Sequence, residues 1–196
     1  MNPEETRKTE ANITEGKRTP PILVAGPARS GKSEWAENLA LQAGKPVIYV
    51  ATARVDRDDA EWVARISEHQ RRRDRWGWKT IEVPVELAAA LADGAKDACF
   101  LVDSLGTWVA NLLEFDETVW QQHQQELLKE AMDCAGQVIF VAEETGWGVV
   151  PAYPLGRKFR DRLGNLVRHL GAIADPVYLV TCGRVLNLSI LGQPLI

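Results

Sequence analysis

"ILVAGPARSGKS" (Ile22–Ser33) joins an apolar run to a glycine-bearing turn and then to Lys-Ser. The run is apolar at every position rather than every second one, so it reads as a strand buried on both faces. Gly26 to Ser33, "GPARSGKS", fits G-x-x-x-x-G-K-[ST], a pattern that residue frequencies produce on the order of once in a hundred chains of this length. Lys32 to Ala43 follows with helical character, Trp35, Leu39 and neighbouring alanines sharing one face. Phosphate binding demands this order of strand, loop and helix. Glycines let backbone N–H groups turn inward around phosphate oxygens, and the helix N-terminus adds partial positive charge. Gly26, Pro27, Ala28, Arg29, Ser30, Gly31, Lys32 and Ser33 are therefore the expected phosphate contacts. Lys32 is placed to reach the β- and γ-phosphates and Ser33 to ligate Mg²⁺. The plain alternative is a tight strand-to-helix turn with no ligand.

Outward from this loop the chain alternates. Further apolar runs occur at "PVIYVAT" (Pro46–Thr52), "ACFLVDS" (Ala98–Ser104), "GQVIFVAEE" (Gly136–Glu144) and "PVYLVTCG" (Pro176–Gly183). "KTIEVP" (Lys79–Pro84) is short and alternating, and "VLNLSI" (Val185–Ile190) suggests an edge strand. Helical stretches are expected over 58–73, 85–93, 105–113 and 118–134. A long amphipathic helix follows in "PLGRKFRDRLGNLVRHLGAIADP", with Leu155, Phe159, Leu163, Leu166, Val167, Leu170 and Ile173 at helical spacing. Strands apolar throughout, alternating with helices, predict an α/β fold: a mostly parallel sheet with helices on both faces.

The chain has 196 residues, 45% of them hydrophobic, and a formal charge of -4. Residues 21–196 are expected to form one P-loop nucleotide-binding domain, and the polar residues 1–20 a disordered tail. The acidic balance argues against nucleic-acid partners. No run approaches 18 apolar residues, so no membrane span is expected. Cys99, Cys134 and Cys182 lie far apart, without metal-ligand spacing, which suggests buried thiols in a reducing cytoplasm.

A P-loop protein also needs a carboxylate near its metal. Asp103, ending "CFLVD", is that candidate, because the end of a central strand lies beside the loop. The plain alternative is a helix N-cap or turn residue, and both roles are compatible. These features specify a nucleoside triphosphate with magnesium. They leave kinases, GTPases, ATPases and nucleotidyltransferases open.

One segment does not follow from this scheme. "RISEHQRRRDRWGWKT" (Arg65–Thr80) holds six cations against two acids in an acidic chain, and one of only three histidines. By charge alone it is a solvated basic helix with a face that suits phosphate.

Taken in order with "GPARSGKS", the segments "YVATA", "RISEH", "RRRDRWGWKTIEVP", "VDSLGTWVANLL" and "VAEETGWGVVPAYPLGRKFRDRLGNLVRHLGAIAD" resemble the bifunctional adenosylcobinamide kinase/adenosylcobinamide-phosphate guanylyltransferases of cobalamin biosynthesis. The resemblance runs from about Ile22 to about Leu188. It implies a RecA-like P-loop NTPase fold and a homo-oligomer, a trimer. It implies that ATP or GTP phosphorylates adenosylcobinamide, and that GMP from GTP then passes to the product through a GMP-histidine intermediate. Of the three histidines only His69 lies in the matching block, so the resemblance makes it the nucleophile and Lys32 its catalytic companion. It also implies nucleotide contacts at Ala51, Thr52 and Ala53, at His69, Gln70, Arg71 and Arg72, at Glu82 toward a guanine edge, and at Asp103. Mg²⁺ would be held by Ser33 and Asp103, and the second substrate is a corrinoid. Chemically, a neutral imidazole is a competent nucleophile near neutral pH, and nearby cations such as Arg71, Arg72 and Arg73 would stabilise charge building on the α-phosphoryl oxygens. Three departures stand out: Asp103 where the family often has Glu, Glu143 where it usually has Asn, and "GRVLNL" without the family's proline. Two other functions fit the motif: a small-molecule kinase without guanylyl transfer, and a GTP-binding regulatory module.

Overall fold

The computed structural model describes residues 19–54 and 75–195. The expected N-terminal tail, the helix expected over 58–73, and His69, Gln70, Arg71, Arg72 and Arg73 lie outside the described residues. The strands are β1 (Ile22–Gly26), β2 (Val47–Ala51), β3 (Lys79–Glu82), β4 (Cys99–Asp103), β5 (Gln137–Glu143), β6 (Val177–Thr181) and β7 (Arg184–Asn187). The helices are α1 (Lys32–Gln42), α2 (Leu87–Ala92), α3 (Leu105–Asn111), α4 (Glu117–Asp133), α5 (Pro154–Ile173) and the single turn α6 (Leu188–Leu191).

The strands form one sheet in the order β3-β2-β4-β5-β1-β6-β7. All neighbours are parallel except β6 and β7. Alternate side chains of the central strands feed two cores. On one face Leu23, Val50, Phe100, Val102, Phe140 and Ala142 meet Leu105, Trp108, Leu127, Leu163 and Leu166 of the later helices. On the other, Val24, Tyr49, Leu101, Ile139, Val141 and Val180 meet Ala36 and Ala40 of α1. Small residues on α1 let that helix lie close to the sheet. Trp108 is buried in the first core, and its indole N–H donates to Val85 O at 2.8 Å, so the largest apolar side chain leaves no polar group unpaired.

The connections explain where a site forms. From β1 the chain crosses through α1 to β2 on one side; from β5 it crosses through α5 to β6 on the other. The loops leaving these adjacent strands diverge and open a crevice at their carboxyl ends, where open α/β sheets bind ligands.

Three expectations need adjustment. "VLNLSI" is only partly strand: β7 ends at Asn187, whose side chain caps α6 by accepting from Ser189 N at 3.0 Å. Leu155 does not join the buried stripe of α5 but is 57% exposed in its first turn. Cys99 and Cys134 are buried as expected, whereas Cys182 is exposed. It sits with Gly183 in a two-residue hairpin between β6 and β7. Both residues have positive φ, 49° and 69°, the geometry that matches hairpin twist.

Candidate nucleotide site at the carboxyl edge of the sheet

The loop from Gly26 to Ser33 leaves β1 at the crevice. A Cβ on Gly26 would come within 2.4 Å of Val180 O, so only glycine lets β1 pass this close to β6 at its end. Arg29 (φ 59°) and Gly31 (φ 91°) adopt left-handed conformations, and Gly31 forms the N-cap of α1 without a side-chain cap. The helix N-terminus is thus left to whatever occupies the loop. Lys32 is the first residue of α1 and is only 9% exposed. Its Nζ makes one long contact, 3.5 Å to Pro27 O, among the described residues. A buried ammonium so weakly partnered calls for an anion. Ser30 Oγ is also buried without a partner among the described residues. Ser33 follows Lys32 in the first turn and is half-buried; Pro27 is half-buried, and Ala28 and Arg29 are exposed.

The other strand ends line up beside it. Ala51 is in register with Asp103 on one side and Glu82 on the other. Gly26 is in register with Glu143, and Glu144 N donates to Gly26 O at 2.9 Å. Asp103 Oδ2 accepts from Tyr49 Oη at 3.1 Å, which fixes the carboxylate from the sheet below. The cap of α3 is not Asp103 but Ser104, whose Oγ accepts from Thr107 N in a capping box. Asp103 therefore carries no capping duty. Glu82 is exposed at the end of β3.

Thr52 is held in another way. It is fully buried, and its hydroxyl donates to Ser104 O at 2.7 Å and lies against Thr107 Oγ1. Ser104 N donates back to Thr52 Oγ1 at 3.0 Å. Asn111 Nδ2 bridges Thr52 O at 2.7 Å and Pro84 O at 2.9 Å. This knot ties the ends of β2, β3 and β4 to α3. The Thr52 side chain is committed to positioning its neighbours, Ala51 and Ala53, which are half-buried beside it. Thr107 and Asn111 lie within "VDSLGTWVANLL" but are not among the expected site residues. Their signal is the S-x-x-T spacing of a capping box followed one turn later by an amide.

Glu143 shows how one departure is accommodated. Its Oε2 accepts from Gly106 N at 2.9 Å, placing a carboxylate on the first turn of α3, where negative charge is favoured. An amide oxygen could accept the same bond. The missing proline has a structural counterpart too: Arg184–Asn187 pairs as an antiparallel strand with β6.

Together the loop, Lys32, Asp103, Glu82 and the Ala51–Ala53 segment share one edge. Among the described residues no group of three or more His, Cys, Asp or Glu could hold a metal. A hydroxyl and one carboxylate instead match Mg²⁺, which takes one or two protein oxygens and completes its shell with phosphates and water. No helix of the described residues is long and apolar enough to cross a membrane.

Known proteins resemble the chain over most of its length. The protein is 39% identical over 175 residues to the bifunctional adenosylcobalamin biosynthesis protein CobP of Pseudomonas aeruginosa, covering 88% of this chain and 98% of that one. It is 37% identical over 177 residues to the bifunctional adenosylcobalamin biosynthesis protein CobU of Salmonella typhimurium, covering 83% and 96%. A solved structure from Pyrococcus horikoshii OT3 superposes with a TM-score of 0.55 at 8% identity, over 91% of this chain and 92% of that one, a likeness of fold. The cobinamide kinase / cobinamide phosphate guanyltransferase family model matches residues 22–188, and the chain belongs to that family.

Proposed function

We propose that this chain phosphorylates adenosylcobinamide with ATP or GTP and then transfers GMP from GTP to the phosphate it has made. The observation that carries the reading is Lys32, a buried ammonium with one long contact among the described residues, at the mouth of a loop built for phosphate. In the first step the acceptor hydroxyl oxygen attacks the γ-phosphorus, the bond to the β–γ bridging oxygen breaks, and the nucleoside diphosphate leaves. The hydroxyl proton passes to water. Loop N–H groups and Lys32 orient the triphosphate and take up charge on its oxygens. Mg²⁺, held by Ser33 and Asp103, would neutralise charge on the β- and γ-phosphates.

In the second step an imidazole nitrogen of His69 attacks the α-phosphorus of GTP and pyrophosphate leaves. A phosphate oxygen of the corrinoid then attacks the same phosphorus, the N–P bond breaks, and the imidazole is restored. Arg71 and Arg72 stabilise the α-phosphoryl oxygens, with Gln70 beside them. Glu82 accepts from the guanine edge, and Ala51 and Ala53 border the nucleotide on a ledge that Thr52 holds. Residues 21–196 act as one catalytic domain, located in the cytoplasm and assembled as a trimer.

Incubation with [α-³²P]GTP and Mg²⁺, then denaturing electrophoresis, tests the intermediate. Acid-labile, base-stable label on the wild type and none on His69→Ala is expected. Kinase turnover without label would leave a small-molecule kinase. Mass detection of adenosylcobinamide-GDP tests the whole sequence; GTP binding with no corrinoid product would leave a regulatory module. Light scattering gives the oligomer mass.

A further inference from the structure

The loop between β5 and α5, with the first turn of α5, displays five large apolar side chains within nine residues: Trp147 (64% exposed), Val149 (95%), Val150 (58%), Tyr153 (80%) and Leu155 (57%). Contiguous apolar surface of this kind marks a binding face. Hydrogen bonds hold the loop in shape. Glu144 Oε1 accepts from Gly146 N at 2.7 Å, and Arg160 donates to Gly146 O at 2.9 Å. Arg157 donates to Pro151 O at 3.0 Å and Ala152 O at 2.7 Å. The apolar side chains are therefore presented on a pinned backbone, which lowers the entropy lost when something covers them.

The loop also starts at the phosphate site. Glu144, its first residue, donates its N–H to Gly26 O, and Glu143 before it is in register with Gly26. A comparable apolar surface at the C-terminus, including Ile190 (79% exposed) and Leu191 (69%), lies with α6 beyond β6 instead.

We propose that the 146–155 loop is the platform for the corrinoid acceptor, resting on the function proposed above. That substrate is a broad macrocycle whose rim alternates methyl groups with amide arms, and its reacting hydroxyl or phosphate ends one flexible arm. The phosphate crevice admits the arm and leaves the ring outside, and among the described residues this loop carries apolar surface outward from the crevice. Trp147 and Tyr153 supply rigid, flat contact area, and Val149, Val150 and Leu155 extend it.

Steady-state kinase assays on the full chain, varying adenosylcobinamide and nucleotide separately, test this. Wild-type formation of adenosylcobinamide-phosphate tests the underlying reading; its absence sinks both. Given wild-type turnover, Trp147→Ala and Val149→Ser should each raise the KM for adenosylcobinamide, roughly tenfold or more for the tryptophan, while the KM for nucleotide stays at the wild-type value. Val149 is almost wholly exposed, so its replacement does not threaten folding. Ile190→Ser, on the distant apolar surface, should leave both KM values alone. An unchanged corrinoid KM in both loop variants overturns the platform. So does a fall in oligomer mass by light scattering that accounts for the kinetic change, since the loop would then be covered by a second copy.

Discussion

Lys32 is held where folding gains little from it. Its ammonium is buried on α1 with a single 3.5 Å contact among the described residues, and a buried charge so poorly partnered opposes stability while it waits for phosphate. Lys32→Met should therefore lower kinase kcat/KM by about 10²–10³-fold, the scale for removing one charge-stabilising donor. The same variant should unfold at the same or a higher denaturant concentration than the wild type. Equal losses of activity and stability would show that the lysine is a structural group. Thr52 predicts the reverse split. Its hydroxyl serves Ser104 and Thr107, so Thr52→Val removes bonds from a buried knot and should cost about 1 kcal/mol by urea unfolding. The two residues also show what sequence conveys at this scale. The role of Lys32 was legible because everything that defines it lies within eight consecutive residues. The commitment of Thr52 was not, because its partners come from a strand end and helix more than fifty positions away, brought together only by sheet order.

Elements were legible to the extent that burial sets their pattern. β1, β2, β4 and β5 are enclosed on both faces and announce themselves as unbroken apolar runs. β7 is exposed along most of its length, and its end is set by the Asn187 cap rather than by hydropathy. Leu155 kept the helical spacing but lies beyond the point where α5 meets the core, so periodicity alone placed it wrongly. The element with most bearing on the site is α3, seven residues long and too short to persist alone. It depends on its N-terminal groups: Ser104 Oγ on Thr107 N, and Glu143 on Gly106 N. Ser104→Ala should cost about 1 kcal/mol. Glu143→Gln should retain more stability than Glu143→Ala, because an amide oxygen on a side chain of the same length can still accept from Gly106 N–H. Thermal unfolding of the three variants checks both statements, and equal losses in the two Glu143 variants would refute the second.

At the scale of the molecule, parallel strands and helices on both faces followed from the alternation of apolar runs, but the order β3-β2-β4-β5-β1-β6-β7 did not. No local signal says that β1 inserts between β5 and β6. That insertion nevertheless gathers the phosphate loop, Asp103, Glu82 and the Thr52 knot onto one edge. It joins site and core, so ligand binding must be felt as global stability. Binding to the folded state alone stabilises by about 2.7 kcal/mol at a hundredfold excess over Kd. For a domain of this size that is a rise of roughly 5–10 °C in Tm. GTP with Mg²⁺ should produce such a rise, EDTA should diminish it, and Lys32→Met should abolish most of it. The thiols give an independent reading of the same coupling. Burial pushes the Cys99 thiol up to about 11 and raises that of Cys134, while Cys182 is exposed. Below pH 9 one thiol of the native protein should therefore react promptly with iodoacetamide, and all three in denaturant. GTP with Mg²⁺ should slow the labelling of Cys99 and Cys134 near the thermal transition, because both thiols are reached only on unfolding. Undiminished labelling of both buried thiols in saturating GTP with Mg²⁺ would break the link between the site and global stability.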